Sequence, residues 1–188
     1  MSEQIDLKKT DAYRAKGGEF RILDVPPQRY LMIDGAGDPN TPVFAEAVEA
    51  LFPLAYAIKF ASKRELDRDF VVMPLEGLWW AEDMAAFTAR RDKSAWSWTL
   101  LVLQPDWIDD ALVDAARATL ARKGAPRRAG DIRFEVLDEG RCVQTLHVGP
   151  FDAEAAVLAR LHDEFIPENG LTMTGRHHEI YLSDLRRT

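Results

Sequence analysis

The sequence is poor in cysteine and has no long apolar run. Its single cysteine, Cys142, excludes an internal disulfide framework. No apolar stretch approaches the length of about 20 residues that a transmembrane helix needs. Residues 1–14 are too polar for a secretory signal peptide. We therefore expect a protein of the reducing cytoplasm that has no membrane partner.

Basic residues are also scarce relative to acidic ones. The 188-residue chain has 24 Lys and Arg against 31 Asp and Glu, which gives a formal net charge of −7. Binding a nucleic-acid backbone requires clustered basic residues, so we expect no nucleic-acid partner. An acidic protein instead favours neutral or cationic small molecules. Hydrophobic residues make up 47% of the chain, which is enough to build a sizeable core.

The usual motifs of metal, phosphate and nucleophile chemistry are absent from the sequence. No two histidines have H-x-H or H-x-x-x-H spacing, and the adjacent pair His177-His178 would point to opposite faces of a strand. The loop from Gly35 to Asn40 lacks the spacing and the Lys-Ser/Thr of a phosphate loop. No G-x-S-x-G motif occurs. Cys142 lies in a predicted strand and is expected to pack as a small hydrophobe. We therefore expect neither a metal nor an organic cofactor.

Hydrophobic periodicity predicts alternating strands and helices. The predicted strands are Phe20–Val25, Arg29–Asp34, Phe70–Leu75, Trp96–Gln104, Ile132–Leu137 and Arg141–Val148, with a last one in 177–184. A helix is expected from the Thr41-Pro42 start, with a hydroxyl cap and with Pro53 inside it. Further helices are predicted over Met84–Arg90, over Ile108–Lys123 before Gly124, and from Asp152 to Asn169, the last with Val157, Leu158, Leu161 and Phe165 on one face.

The order of these elements repeats once along the chain. Residues 29–37 align with 141–149, and residues 70–77 align with 177–184. We therefore predict an α+β fold made of a duplicated half-domain, whose two copies are related by a pseudo-twofold axis and meet along a seam that offers a cleft for a ligand. The predicted boundaries within this single domain (1–188) are an extension at 1–19, a first repeat at 20–104, a linking helix and linker at 105–130, and a second repeat at 131–188.

The last predicted strand, HHEIYLSD at 177–184, alternates polar and apolar residues. Ile180 and Leu182 share one face and are the expected core pair. Glu179 and Tyr181 share the other face, which we expect to turn away from the helices and to line a cleft between the repeats. Glu179 is then either a solvated surface carboxylate or a charged group in a binding site, where it would act as a general base or attract a cation.

Four of the five tryptophans lie between residues 79 and 98, and each of them alone would be read as core. The adjacent residues Trp79 and Trp80 cannot both point inward from one regular element, so at least one should face a cleft or solvent. Flat aromatic rings near an acid suit a planar or cationic ligand. The candidate substrate-binding residues are Trp79, Trp80, Trp98, Pro74, Glu76 and His147; the candidate catalytic residues are Glu179 and Tyr181.

Three stretches together resemble a known family. They are YLMIDG with the following GDPN at 30–40, MPLEGLWW at 73–80, and HHEIYLSD at 177–184. With them the chain resembles the stand-alone GyrI-like small-molecule-binding proteins from about Val25 to its C-terminus. The resemblance implies a duplicated β-α-β-β fold around a ligand cavity. It also places Glu179 at the position of a glutamate that contacts cationic aromatic drugs in related regulators.

The resemblance implies three possible activities. Some stand-alone relatives look like hydrolases that open the cyclopropane ring of DNA-alkylating natural products, and we favour this detoxifying activity. The main alternative is a non-catalytic module that binds, sequesters or senses aromatic drugs, and a gyrase-inhibiting or other protein-binding role is a third. The repeat also predicts a strand after Asp184, whereas the sequence stops at Thr188. Either the sequence is trimmed or the second repeat lacks its last strand, and in the latter case we expect an open sheet edge beside the site.

Overall fold

A computed structural model describes residues 4–83 and 92–183 of the chain. The described residues form a mixed α+β fold with two antiparallel sheets, which confirms the predicted fold class. None of the helices in these two ranges is both long enough and apolar enough to span a membrane. The predicted helix over Met84–Arg90 lies outside the described residues, as does any strand after Asp184.

The elements are numbered in chain order. The strands are β1 Arg21–Val25, β2 Gln28–Ala36, β3 Glu76–Trp80, β4 Ser97–Gln104, β5 Arg133–Leu137, β6 Gly140–Gln144 and β7 His177–Ile180. The helices are α1 Pro42–Glu65, α2 Asp110–Lys123, α3 Ala155–Ala159 and α4 Ile166–Glu168. Most predicted elements are confirmed, with boundaries that shift by a few residues.

The described chain divides into two compact units. The first is built mainly from Gln28–Leu137, joined by the segment that begins at Arg176. It contains a five-stranded sheet in the order β5-β2-β4-β3-β7. Strands from both predicted repeats therefore pair in this one sheet. The boundaries of the repeats themselves stay a prediction.

The core of the first unit lies between this sheet and α1. The central strand β4 is buried on both faces, and Leu100, Leu101 and Val102 are 0% exposed. Helix α1 buries residues at helical spacing, namely Ala47, Ala50, Leu51, Leu54, Ala55 and Ile58. The sequence period of 3.6 therefore places one apolar stripe of α1 against the sheet.

The ends of the helices follow local sequence, with one correction. Pro42 opens α1 as predicted, but the Thr41 hydroxyl makes no cap and instead donates a hydrogen bond to the Asp38 carbonyl oxygen at 2.7 Å. Helix α1 continues through Pro53 to Glu65. Helix α2 is capped by the Asp109 carboxylate, which accepts from the Leu112 N–H at 2.9 Å. Gly124 ends α2 with a φ of 95°, as its position predicts.

The predicted strand over Phe70–Leu75 is wrong in its position, because the ladder begins only at Glu76. Phe70 makes an isolated bridge to Ile5, and the residues between Phe70 and Glu76 do not join a strand. Pro74 has no N–H to donate, so this segment cannot continue a regular ladder.

Strand β7 also ends earlier than its alternation suggests. It pairs with β3 only as far as Ile180, which lies opposite Glu76. Leu182 is 51% exposed, so the expectation that it belongs to the core is wrong. Ile180 is half-buried. The alternating pattern of the sequence extends beyond the ladder that would bury its apolar face.

The second unit combines Lys8–Pro27 with Asp138–Gly175. Strands β1 and β6 pair in antiparallel fashion, from Arg21 opposite Gln144 to Val25 opposite Gly140. Strand β6 ends at Gln144 rather than at the predicted Val148. The single helix predicted from Asp152 is instead a chain of short helical pieces.

The helical segment of the second unit contains a wider turn that sequence periodicity does not reveal. Residues Arg160–Phe165, between α3 and α4, form a π-helix, in which the Ile166 N–H bonds to the Leu161 carbonyl. An extra residue per turn shifts the side chains around the axis. Of the four apolar residues expected on one face, only Leu161 is buried, and the other three are half-buried.

Replacing Gly35 with alanine should destabilise the first unit. Trp98 is 0% exposed, and its indole ring lies over Gly35, so an ideal Cβ at position 35 would be 2.0 Å from Trp98 Cη2. We expect a loss of about 1–3 kcal/mol or more, since the core must shift to accept the methyl group. Urea unfolding followed by circular dichroism measures it. The Gly130→Ala control, where a Cβ meets nothing within 4 Å, should change little; equal stability of the two variants would contradict this packing.

The hydrogen bonds of Asp69 should make the free energy of unfolding depend on pH in the acid range. Its carboxylate accepts hydrogen bonds from Lys59 and from Lys63, the latter at 2.9 Å, and these bonds hold the pKa of Asp69 well below its usual range. The stabilisation is therefore complete above the unfolded pKa of about 4 and is lost as the pH falls below it. Asp69→Asn should be less stable than wild type at neutral pH, and the difference should narrow in acid. Asp114→Asn, on the exposed face of α2, is the control; a pH-independent difference for Asp69→Asn would be evidence against this assignment.

Candidate functional site

The register between β3 and β7 decides which side chains share a face. Trp79 lies opposite His177, and Gly77 lies opposite Glu179. Directly opposed residues of antiparallel strands project to the same side of a sheet, and alternation returns to that side every second residue. Trp79, His177 and Glu179 therefore lie on one face, and Tyr181 follows them.

Hydrogen bonds join these side chains into a chain of polar contacts. The Trp79 indole Nε1–H donates to the Tyr181 hydroxyl oxygen at 2.8 Å, and the Tyr181 hydroxyl donates to Glu179 Oε2 at 2.5 Å. An indole N–H is a donor only, so the tyrosine oxygen must accept it and direct its own proton to the carboxylate. Tyr181 and Trp79 thereby orient Glu179 as an acceptor.

The second carboxylate oxygen has its own neighbour on β7. His177 Nε2 lies 3.2 Å from Glu179 Oε1, and the side chains of His177 and Glu179 are 26% and 20% exposed. With an ionised Glu179, the imidazole must donate this hydrogen bond. The imidazole nitrogen and the carboxylate oxygen are also ligand types that divalent metals accept, although a metal site needs further ligands.

Gly77 makes the approach of these groups possible. An ideal Cβ on this residue would lie 2.7 Å from Trp79 Nε1 and 3.1 Å from the Tyr181 hydroxyl. Any other residue would therefore push apart two groups that are hydrogen-bonded. Neither Gly77 nor His177 was among the candidate substrate-binding or catalytic residues predicted from the sequence. A glycine inside a strand and a histidine two positions before Glu179 are the signals that point to them.

Aromatic rings hold Trp79 in place. The Phe44 ring stacks on Trp79 with centroids 6.1 Å apart and an interplanar angle of 16°, while Trp96 meets Trp79 edge-on at 5.7 Å. Phe44 also packs edge-on against Trp98 at 5.3 Å. Trp98 is completely buried, so it supports the cluster from within the core.

Helix α1 lies on the side of the sheet that carries Glu179, because Phe44 belongs to α1 and stacks on Trp79 of that face. The expectation that Glu179 and Tyr181 turn away from the helices is therefore wrong. Strand alternation defines two faces but does not say which of them a helix will cover. That choice depends on where α1 packs.

Trp80 points to the opposite face from Trp79, as the adjacent pair requires. It is half-buried, and the Arg176 guanidinium carbon lies 3.7 Å from its ring centroid. Glu76 also lies on this second face, since it is opposite Ile180. Its side chain is 0% exposed, and its Oε2 is 2.8 Å from His178 Nε2.

Two further predicted residues, Pro74 and His147, do not belong to the hydrogen-bonded chain of Trp79, Tyr181 and Glu179. Pro74 is half-buried in the segment before β3. His147 belongs to the second unit, where its Nε2 is 3.0 Å from the Pro150 carbonyl oxygen. Of the eight candidate residues, the hydrogen-bonded chain thus contains Glu179, Tyr181 and Trp79.

Cys142 has the environment of a packed side chain rather than a nucleophile. It is half-buried in β6. Burial raises the pKa of its thiol to about 11, with smaller contributions from the negative charges of Glu139 and Asp24. The thiol therefore stays protonated at neutral pH, and only a thiolate is an effective nucleophile.

The fold and this face are typical of proteins that bind small organic molecules through aromatic rings and a few oriented polar groups. The sequence model of the GyrI-like small molecule binding domain matches residues 18–188. The chain therefore belongs to the GyrI-like small-molecule-binding domain family.

Solved structures from Listeria innocua are similar over nearly the whole chain. An uncharacterized conserved protein is 37% identical, with a TM-score of 0.88, and covers 98% of this chain and 93% of its own. A protein described as a hydrolase is 36% identical, with a TM-score of 0.87, and covers 99% and 93%. The C-terminal domain of EcmrR shares the fold alone, at 12% identity, 89% and 86% coverage and a TM-score of 0.53. No match was found among curated proteins.

Gly77→Ala should break the bond between Trp79 and Tyr181 while leaving the rest of the first unit folded. The added methyl group needs the space that Trp79 Nε1 now occupies. We expect a changed indole N–H resonance in the ¹H–¹⁵N spectrum and a stability loss of about 1–3 kcal/mol. Gly175→Ala, where a Cβ meets nothing within 4 Å, is the matched control. An unaltered set of indole resonances in Gly77→Ala would show that the close approach is not required.

Proposed function

We propose that this protein binds planar aromatic, electrophilic or cationic small molecules at the face formed by Trp79, Tyr181 and Glu179. We further propose that it adds water to a strained cyclopropane ring in such molecules. The observation that carries this proposal is the oriented carboxylate: Tyr181 donates to Glu179 Oε2 at 2.5 Å, yet the glutamate side chain keeps 20% of its surface exposed.

In a cyclopropane conjugated to a dienone, water would attack the less hindered ring carbon. A C–O bond forms there, the strained C–C bond breaks, and its electron pair moves through the conjugated system to the carbonyl oxygen. Glu179 would take the proton that the attacking water loses, as a general base. The carbonyl oxygen then gains a proton from solvent, so the product is the substrate plus one water and no cofactor is consumed.

The residues around Glu179 would assist this step by holding its carboxylate in a fixed orientation. Tyr181 and His177 each occupy one lone pair of the Glu179 carboxylate, and each carboxylate oxygen has further acceptor capacity for a water. Because Trp79 in turn holds Tyr181, the carboxylate is oriented before the substrate arrives. The aromatic rings beside it suit a flat conjugated substrate.

Two findings support a hydrolase. The family binds small molecules, and two Listeria innocua relatives described as hydrolases are 36% and 35% identical over nearly the whole length. The substrate class comes from the resemblance of residues 73–80 and 177–184 to the stand-alone relatives. The proposed setting is the cytoplasm, where such an enzyme would remove an alkylating agent before it reaches DNA.

A non-catalytic binding protein is the second candidate, and the same carboxylate favours it. A carboxylate beside aromatic rings attracts cationic aromatic compounds whether or not it moves a proton. In that role the protein would sequester the compound or report its presence. The two candidates differ in turnover and not in binding.

The variant Glu179→Gln should distinguish the hydrolase from the non-catalytic binding protein, because the amide keeps the shape of the side chain but cannot act as a base. We expect the rate of consumption of a cyclopropane-bearing alkylator to fall by about a hundred- to ten-thousandfold. Affinity for the same compound, measured by quenching of tryptophan fluorescence, should change only a few-fold. Asp114→Asn, on the exposed face of α2, is the control and should match wild type.

Equal turnover by wild type and Glu179→Gln would remove Glu179 from the mechanism. If wild type binds the compound but does not consume it, the binding protein is the correct alternative. If neither binding nor turnover is seen, the proposed ligand class is wrong.

A further inference from the structure

Helix α1 carries an exposed aromatic stripe on the side opposite its core face. Tyr56 and Phe60 are 47% and 55% exposed, and their rings lie 6.4 Å apart at an interplanar angle of 29°. Phe52, one turn earlier, is half-buried. Isolated surface hydrophobes are common, but neighbouring aromatic rings along one helix face point to a contact surface.

The stripe is symmetric about its central residue. At 100° per residue, the residues four and seven positions before and after Tyr56 lie within about 40° of it around the helix axis. These positions hold Glu49, Phe52, Phe60 and Lys63. The order along the stripe is therefore acid, aromatic, aromatic, aromatic, base.

This order is complementary to itself in the antiparallel direction. If a twofold axis passes through Tyr56, Phe52 of one copy meets Phe60 of the other, and Glu49 meets Lys63. In a parallel arrangement, like charges would face each other at both ends. An isologous contact of two identical patches is the commonest arrangement of homodimers.

Both charged ends are accessible for this contact. Glu49 is exposed, and the Lys63 side chain is 56% exposed although it donates to Asp69 at 2.9 Å. An ammonium group has three protons, so Lys63 can serve Asp69 and a second carboxylate at once. The spacing of seven residues from Glu49 to Tyr56 and from Tyr56 to Lys63 matches the heptad of antiparallel coiled coils, in which helices cross at about 20°.

We propose that the stripe formed by Glu49, Phe52, Tyr56, Phe60 and Lys63 binds a second copy of this chain, with the two α1 helices antiparallel. A single helix pair covers less than the roughly 800 Å² per partner of a standard interface. The dimer should therefore be weak and should form over the micromolar concentration range. This proposal does not depend on the activity proposed for Glu179.

Sedimentation velocity from low micromolar to near-millimolar concentration tests the proposal on the full chain. The apparent mass of wild type should rise toward that of two chains. Tyr56→Glu would place two carboxylates across the twofold axis, and we expect it to raise the dissociation constant about thirtyfold or more, as for a central contact residue. Val148→Glu introduces the same charge at a residue that is 80% exposed elsewhere, and it should dimerise like wild type.

A charge-exchange experiment tests the antiparallel direction. Glu49→Lys and Lys63→Glu should each associate less than wild type, because each variant alone brings like charges together. An equimolar mixture of the two should associate again, since both end pairs then have opposite charges. Circular dichroism checks that both variants are folded.

A wild type that stays monomeric at every concentration would overturn the proposal, as would Tyr56→Glu dimerising like wild type. If Val148→Glu loses as much association as Tyr56→Glu, net charge and not the stripe controls association. A mixture that does not recover association would overturn the antiparallel pairing.

Discussion

The candidate site depends on the antiparallel pairing of β3 with β7. Trp79 and Tyr181 are separated by 102 residues in the chain, and this ladder places them 2.8 Å apart. A shift of one residue in the register would turn Glu179 to the other face, because successive side chains alternate. It would also move Gly77 away from Glu179, its partner across the ladder. The chemistry of this face therefore rests on a backbone register that Gly77 makes sterically possible.

Hydrogen-bond capacity explains why the cluster has a single arrangement. Trp79 can only donate, a carboxylate can only accept, and the tyrosine hydroxyl between them does both. The aromatic contacts of Phe44 and Trp96 restrain the ring of Trp79, so packing fixes where this chain of hydrogen bonds begins. A site that is oriented before the ligand binds avoids part of the entropic cost of binding. This is consistent with a family that binds small molecules.

Much of the fold could be predicted because the signals are local. Pro42 and Gly124 mark the helix ends where they were expected, and β4 follows its run of aromatic and β-branched residues. The errors occur where tertiary contacts override a local pattern. The strand expected at Phe70 begins at Glu76, because a ladder needs a partner strand and an N–H that Pro74 lacks. Leu182 alternates correctly but extends past the paired part of β7, so nothing in its ladder buries it.

By itself the sequence determined that Glu179 and Tyr181 share a face, since a period of two needs only extended backbone. It also determined that Trp79 and Trp80 diverge. Only the tertiary structure decided that Trp79 is the ring that meets Tyr181, that Glu76 lies on the other face with His178, and that α1 lies on the Glu179 side of the sheet. These outcomes depend on strand register and helix placement, which are set by contacts between residues far apart in the chain. No local period encodes them.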